Sequence, residues 1–431
     1  MRTDSRFIHY RSPGPRIWEI FYSIILFASV ILIFNLYNIG TGGDFRYYVD
    51  NGANIFIGIN PYLNDFRSGT FGPLAIYLFS RVIPEGIIQF SFYFLNILGI
   101  FSILYYFKSK LTFSSLVICF TLIIWSAPFR EIVVDGQITG ILYLLIFSAF
   151  LLLKRKRTAS RYKTNVFIAA LLSAVAVDLK PHICLPIILF IGLAQQRYRY
   201  LIAVLAVLIS AHLLIDVWFR SFTELQWLQN LLGVQGSKNY SKWPEQYNIW
   251  PIFDHLLPGG YLFWKSLSVI SVITIFALLT YLSIKRKEEI IWFIVASLSM
   301  VIPYSQFYSL TLLVSITLVR VLRRDINTIG YLFIAFILVP RYWTEPKNIM
   351  FICAILVIVS LYNYFNRGQL FFENIKVLIM AMVLNISIHV LNDQMIFIED
   401  LERSVICVQV ATLSFIYFLE RDKLLLLFKK K

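Results

Sequence analysis

Runs of about twenty apolar residues recur from one end of this chain to the other, and nothing else limits its fold as strongly. About 20 such residues cover the hydrocarbon layer of a bilayer as a helix. The chain has 431 residues, of which 58% are hydrophobic and 15% charged. A soluble body of that size has too little interior to hide so much apolar surface. Lipid offers no partner to backbone N–H and C=O groups, so helices are the expected spanning form. The runs are too long and uniform for the alternating pattern of a β-barrel. The reading is an all-α polytopic membrane protein, a single integral-membrane domain over 1–431, with about 13–14 transmembrane helices.

The spans are placed at 17–38, 86–107, 111–128, 136–153, 164–179, 181–196, 199–219, 261–284, 289–303, 305–322, 327–341, 347–365, 375–391 and 401–419. Segment 71–84 is a shorter apolar piece, re-entrant or half-spanning. A formal net charge of +15 invites a nucleic-acid reading, but its distribution argues against one. The basic clusters "KRKRTASRYK" (154–163), "KRK" (285–287) and "KKK" (429–431) all fall on one side of the alternating spans. Lys/Arg bias sets orientation, so the N-terminus is expected in the cytoplasm, with the first span as an uncleaved anchor. Contact with membrane lipids, and not with nucleic acid, is the partner reading.

The outer side then carries two long loops, at about 39–85 and 220–260. Trp227, Trp243 and Trp250 in the second point to an interface-hugging surface. Long aromatic loops on one face place the work on that face. Cys119, Cys184, Cys353 and Cys407 sit in apolar segments without short spacing and read as buried thiols. No phosphate-cradling glycine loop, paired cysteines or His–carboxylate cluster appears, so no metal or cofactor is expected.

Three outer-face stretches and one further cation carry candidate chemistry. "GTGGDFRYYVDNGANIFIGINPY" (40–62) sets Asp44 on a glycine hinge just past the first span. Asp44 is either a helix N-cap or a carboxylate turned into a cavity. Asp50 reads as the i,i+4 partner of Arg46. "PFREIVVDGQITG" contributes Arg130 and then Gln137 at the start of a span. A helix N-terminus suits anions, and Gln137 bonds either a sugar hydroxyl or a neighbouring helix. "DLKPH" carries Lys180 and His182, with Pro181 opening the next helix. Lys180 either snorkels to the headgroup layer or holds a phosphate, while a lone His such as His182 is more often a packing residue. Arg341 is a further outer-face cation.

In order and spacing, "GGDFRYY", the "NPY" ending at Tyr62, "FGPLAIYLF", "DGQITGILYLL" and "VAVDLKPHICLPIILFIGLAQQRYRY" resemble glycosyltransferase family 87, over roughly residues 15–325. The resemblance implies a GT-C-like fold, with a catalytic region over residues 1–325 and C-terminal helices over 326–431. It implies an α-mannosyltransferase-like hexosyltransferase of the cell envelope that takes its sugar from a polyprenyl-phosphate donor. The acceptor would be a lipid-linked or glycan molecule, and the active site would lie on the extracytoplasmic face of a bacterial plasma membrane. Asp44 matches the position of the family's catalytic base, and Lys180 that of a Lys-Pro element. Gln137, Arg130, His182 and Tyr62 are the further substrate-binding candidates. One departure stands out: where many members carry a His before a late span, this chain reads "VIPYSQFYSL" (301–310), with Gln306, Phe307 and Tyr308 in its place.

Two other classes fit some features of the pattern. An O-antigen-type polymerase shares the span number and lipid-linked substrates, but places its large functional loops late in the chain. A lipid-oligosaccharide flippase or transporter requires polar groups along a mid-span path, and here His212 and Asp216 are the closest candidates.

Overall fold

A computed structural model describes residues 85–108, 111–134, 136–154, 159–219, 260–284 and 307–323, with short pieces at 249–250, 252–253, 257, 292, 295–298 and 301 and single residues 24, 330, 334 and 383. Asp44, Tyr62, the first outer loop, Gln306, Arg341, Trp227, Trp243, Cys353 and Cys407 lie outside the described residues.

The described residues are helical, without strands. We number the helices α1 (Glu85–Tyr106), α2 (Phe113–Ile124), α3 (Ala127–Val134), α4 (Thr139–Lys154), α5 (Ala159–Leu179), α6 (Pro181–Ala194), α7 (Tyr198–Phe219), α8 (Gly260–Ile284) and α9 (Thr311–Arg323). Most fall within a few residues of the expected spans. Among the described residues, one window, Tyr162–Leu179 in α5, is both long and apolar enough to cross a membrane, whereas Phe90–Tyr106, Thr139–Lys154 and Tyr198–Leu214 are apolar but shorter.

The expected span 111–128 is not one helix. It breaks at Trp125–Ser126, and the chain continues as α3 where a loop was expected. Ser126 makes the break. Its Oγ donates to Ile123 O at 2.6 Å and receives Phe129 N–H at 3.4 Å, closing one helix and capping the next. Pro128 then sits in the first turn of α3, where a missing N–H costs nothing.

α1 and α4 run parallel and touch along their length. Asn96 meets Gly140 and Tyr106 meets Phe150. The contact is close because two glycines cross: a Cβ on Gly99 would lie 1.8 Å from Gly140 O. Small residues let helices in lipid approach backbone to backbone. Gly99→Leu is therefore expected to separate α1 from α4 and to destabilise the protein by at least about 3 kcal/mol. The thermal midpoint of the detergent-solubilised protein reads this as a large drop, while Phe101→Leu on the exposed side of α1 leaves it nearly unchanged.

α5 returns antiparallel to α4, with Asn165 Nδ2 donating to Leu152 O at 3.2 Å. α7 runs parallel to α5, tied by the hydroxyls of Ser173 and Tyr200. α9 fills the interior: every residue from Leu310 to Leu322 is buried. α7 keeps an outward apolar stripe of Ile202, Leu205, Ile209, Leu213 and Val217, as a helix facing lipid does. At the end of the bundle where α1 and α4 finish, Trp292 packs among Tyr106, Phe107, Phe147 and Phe150.

The expectation of an interface-hugging Trp250 is corrected. Trp250 is buried, stacks on Trp264 and donates its Nε1–H to Val301 O at 2.7 Å. Its indole satisfies a backbone carbonyl inside the bundle and does not sit in the headgroup layer.

Candidate functional site

The end of the bundle where α4 begins and α5 ends gathers the described candidates. α3 stops in a tight reversal. Gly136 has φ +65°, and Gln137 N donates to Ile132 O at 2.9 Å. That six-to-one bond across a left-handed glycine is a Schellman closure. A side chain at Gly136 would strain it. The reversal delivers Gln137 directly to the start of α4.

α4 is held at its first turn by α1. Asn96, fully buried, receives Gly140 N–H at 2.8 Å and Ile141 N–H at 3.3 Å on its Oδ1. Its Nδ2 donates to Phe92 O at 3.0 Å. Helix starts leave four N–H groups without intrahelical partners, and Asn96 takes up two of them here. The opening of α4 is thus partly closed to an external anion, contrary to the simple reading of "DGQITG" as an anion site. Asn96 was not among the candidates expected from the sequence. The available signal was an amide midway along an otherwise apolar run.

Pro181 opens α6, as its sequence position predicts, and Lys180 is the N-cap with φ −146° and no side-chain capping bond. Proline disfavours helical angles in the residue before it. The residue held out of helical angles is Lys180 alone, because Leu179 still belongs to α5. The Lys180 side chain turns inward. Only 3% of the residue is exposed, so it does not snorkel, and its Nζ donates to Gln137 Oε1 at 2.6 Å. Gln137 is buried as well. Two candidates 43 residues apart in sequence are therefore in direct contact. The acceptor in that contact is neutral, so the bond orients the ammonium without cancelling its charge.

Arg130 lies half-buried on α3, which packs against a single 3-10 turn at Phe307–Leu310. That turn closes the segment "VIPYSQFYSL" (301–310), which stood out in the sequence as a departure. Tyr143 ties it to α4 through a long contact, Oη to Ser309 O at 3.5 Å. His182 occupies the first turn of α6. Cys119 and Cys184 are buried free thiols, as expected.

A second polar contact lies on the other side of α5. His212 Nε2 on α7 is 3.2 Å from Asp178 Oδ1. His212 stood out in the sequence but its partner did not, because nothing local links two residues on different helices. Among the described residues, no group of three or more His, Cys, Asp or Glu side chains is placed to hold a metal ion.

Among the described residues, a helical bundle carries an outward apolar stripe on α7 and a buried ammonium–amide contact at one end, a polar site at the mouth of its helices. The sequence model of glycosyltransferase family 87 matches residues 70–315, more than half of the chain. The chain belongs to that family, whose members are GT-C-type glycosyltransferases using polyprenyl-phosphate sugars. No curated protein and no solved structure matches it. It is a membrane glycosyltransferase.

Proposed function

We propose that this enzyme moves a monosaccharide, mannose foremost, from a polyprenyl-phosphate donor to a lipid-linked or glycan acceptor at the extracytoplasmic face of the plasma membrane. The observation that carries this reading is the buried Lys180–Gln137 contact at 2.6 Å. In the transfer, the acceptor oxygen forms a bond to the anomeric carbon as the bond from that carbon to the phosphate oxygen breaks. The electron pair leaves with polyprenyl phosphate, so negative charge grows there. A fixed cation stabilises such charge most where water is excluded, and Lys180 is held in such a place. The donor has to reach it from between helices, a route open to a phosphate whose prenyl tail already lies in the bilayer.

The acceptor hydroxyl is a poor nucleophile at neutral pH. Asp44 takes its proton as the new bond forms, a contribution of typically about 10²–10⁴ in rate. Direct displacement of this kind inverts the anomeric centre. Arg130 and His182 supply further donors to the phosphate or sugar, Gln137 aims Lys180, and Tyr62 lines the sugar.

Purified protein given synthetic polyprenyl-phosphate-mannose, -arabinose and -glucose with octyl hexopyranosides tests this reading. It is expected to release polyprenyl phosphate, fastest from the mannose donor. No release from any donor with any acceptor would sink it.

A further inference from the structure

We propose that Asn96 is a positioning residue of the transfer: from α1 it fixes the start of α4 and, through Gln137, the aim of Lys180 at the donor phosphate. This rests on the assignment of Lys180 to that phosphate. The path between the two residues is short. Asn96 Oδ1 receives Gly140 N–H at 2.8 Å and Ile141 N–H at 3.3 Å, both in the first turn of α4. Gln137 lies just ahead of that turn, between the Gly136 reversal and α4. Its Oε1 receives the Lys180 ammonium at 2.6 Å.

The cap of α4 comes from another helix. Ile138 O accepts the bond from Leu142 N–H at 3.0 Å, so Ile138 stands where Ser, Thr, Asp or Asn would cap the helix. An isoleucine side chain offers no acceptor. The buried Asn96 amide supplies it instead, and its Nδ2 donates to Phe92 O at 3.0 Å, which holds the amide in one orientation. Gly140 leaves room for it, since a Cβ there would lie 2.6 Å from Asn96 Oδ1. A local cap only ends a helix. A cap reaching across from α1 also sets where α4 starts relative to its neighbour.

Packing α1 on α4 does not require the amide. The crossing of Gly99 and Gly140 brings the backbones together, and Tyr106 meets Phe150 further along. Aiming Gln137 is a separate demand. On its α3 side Gln137 is held by its own N–H to Ile132 O at 2.9 Å. Asn96 holds the α4 side. With both ends fixed, Gln137 Oε1 stays at one point, and so does the ammonium it orients. A misplacement of about 1 Å caused far from the chemistry can lower a rate by about 10²-fold.

The test is steady-state release of polyprenyl phosphate, with the octyl hexopyranosides as acceptors and whichever of the polyprenyl-phosphate-mannose, -arabinose and -glucose donors wild type uses fastest. Asn96→Ala is expected to lower kcat/KM about tenfold to 100-fold and to raise the inhibition constant of polyprenyl phosphate severalfold. In the Lys180→Met background the same change should lower kcat/KM by less than about twofold, because a residue acting through Lys180 has nothing left to aim. Asn165→Ala removes a comparable bond, to Leu152 O at the opposite end of α4. It should lower the thermal midpoint as Asn96→Ala does and keep kcat/KM within about twofold of wild type. Unchanged kcat/KM in Asn96→Ala, an equal fall in both backgrounds, or a matching fall in Asn165→Ala overturns the positioning role while transfer itself stands. No release by wild type from any of the three donors removes the underlying reading and this role with it.

Should Asn96→Ala not fold, wild-type protein gives a second readout, since coupling between two sites is reciprocal. Polyprenyl phosphate is expected to slow hydrogen exchange at the Gly140 and Ile141 amides severalfold in wild type and not in Lys180→Met, as read by peptide mass spectrometry. Exchange unchanged by polyprenyl phosphate in wild type, or slowed equally in Lys180→Met, overturns the positioning role.

Discussion

Lys180→Met is expected to lower kcat/KM by about 10²–10³, the usual cost of removing one fixed donor to developing negative charge. The protein should still fold. The Lys180 side chain makes no capping bond to α6, and Pro181 keeps that helix start in place. Met fills nearly the same volume. Gln137 Oε1 loses the partner 2.6 Å away, so a modest drop in thermal midpoint accompanies the kinetic loss. Lys180→Arg is expected to recover little, because a planar fork does not replace a compact ammonium beside a fixed amide. Steady-state release of polyprenyl phosphate, with the thermal midpoint measured on the same preparations, checks both effects.

Asp44→Asn is expected to lower kcat by at least about 100-fold with expression unchanged, because an amide cannot accept the acceptor's proton. Donor KM should stay near its wild-type value, since the proposed role of Asp44 is on the acceptor oxygen and not on the phosphate. The two variants therefore fail differently, Lys180→Met at the leaving group and Asp44→Asn at the nucleophile. Near-native kcat in Asp44→Asn would move the base to another residue.

Much of the architecture was legible in the sequence because lipid imposes a simple rule. The expected spans 86–107, 199–219 and 261–284 correspond to helices at Glu85–Tyr106, Tyr198–Phe219 and Gly260–Ile284. The Lys180–Pro181 junction was legible for a local reason, since proline both opens a helix and extends the residue before it. The break at Trp125–Ser126 was hidden in a uniformly apolar run, where hydropathy carries no boundary. "SAP" held the capping signal, but it was read as span. Trp250 misled because tryptophan is common both at interfaces and in aromatic cores, and only the Val301 carbonyl decides between them.

The candidate residues were legible as polar groups but not as geometry. Gln137 and Lys180 stood out as polar groups at helix ends, yet nothing in the sequence across their separation of 43 announces that they touch. Asn96 escaped because its task, receiving the first amides of α4, exists only once α1 and α4 cross at Gly99 and Gly140. The Asp178–His212 contact likewise arises from helix direction: α5 and α7 run parallel, so residues near their matching ends meet.

Inhibition by polyprenyl phosphate, the donor stripped of its sugar, tests the proposed contact between Lys180 and the phosphate without any chemistry intervening. Its inhibition constant is predicted to rise at least about tenfold in Lys180→Met, the loss of one charge-assisted bond, and to stay at the wild-type value in Asp44→Asn. An unchanged constant in Lys180→Met would contradict the account.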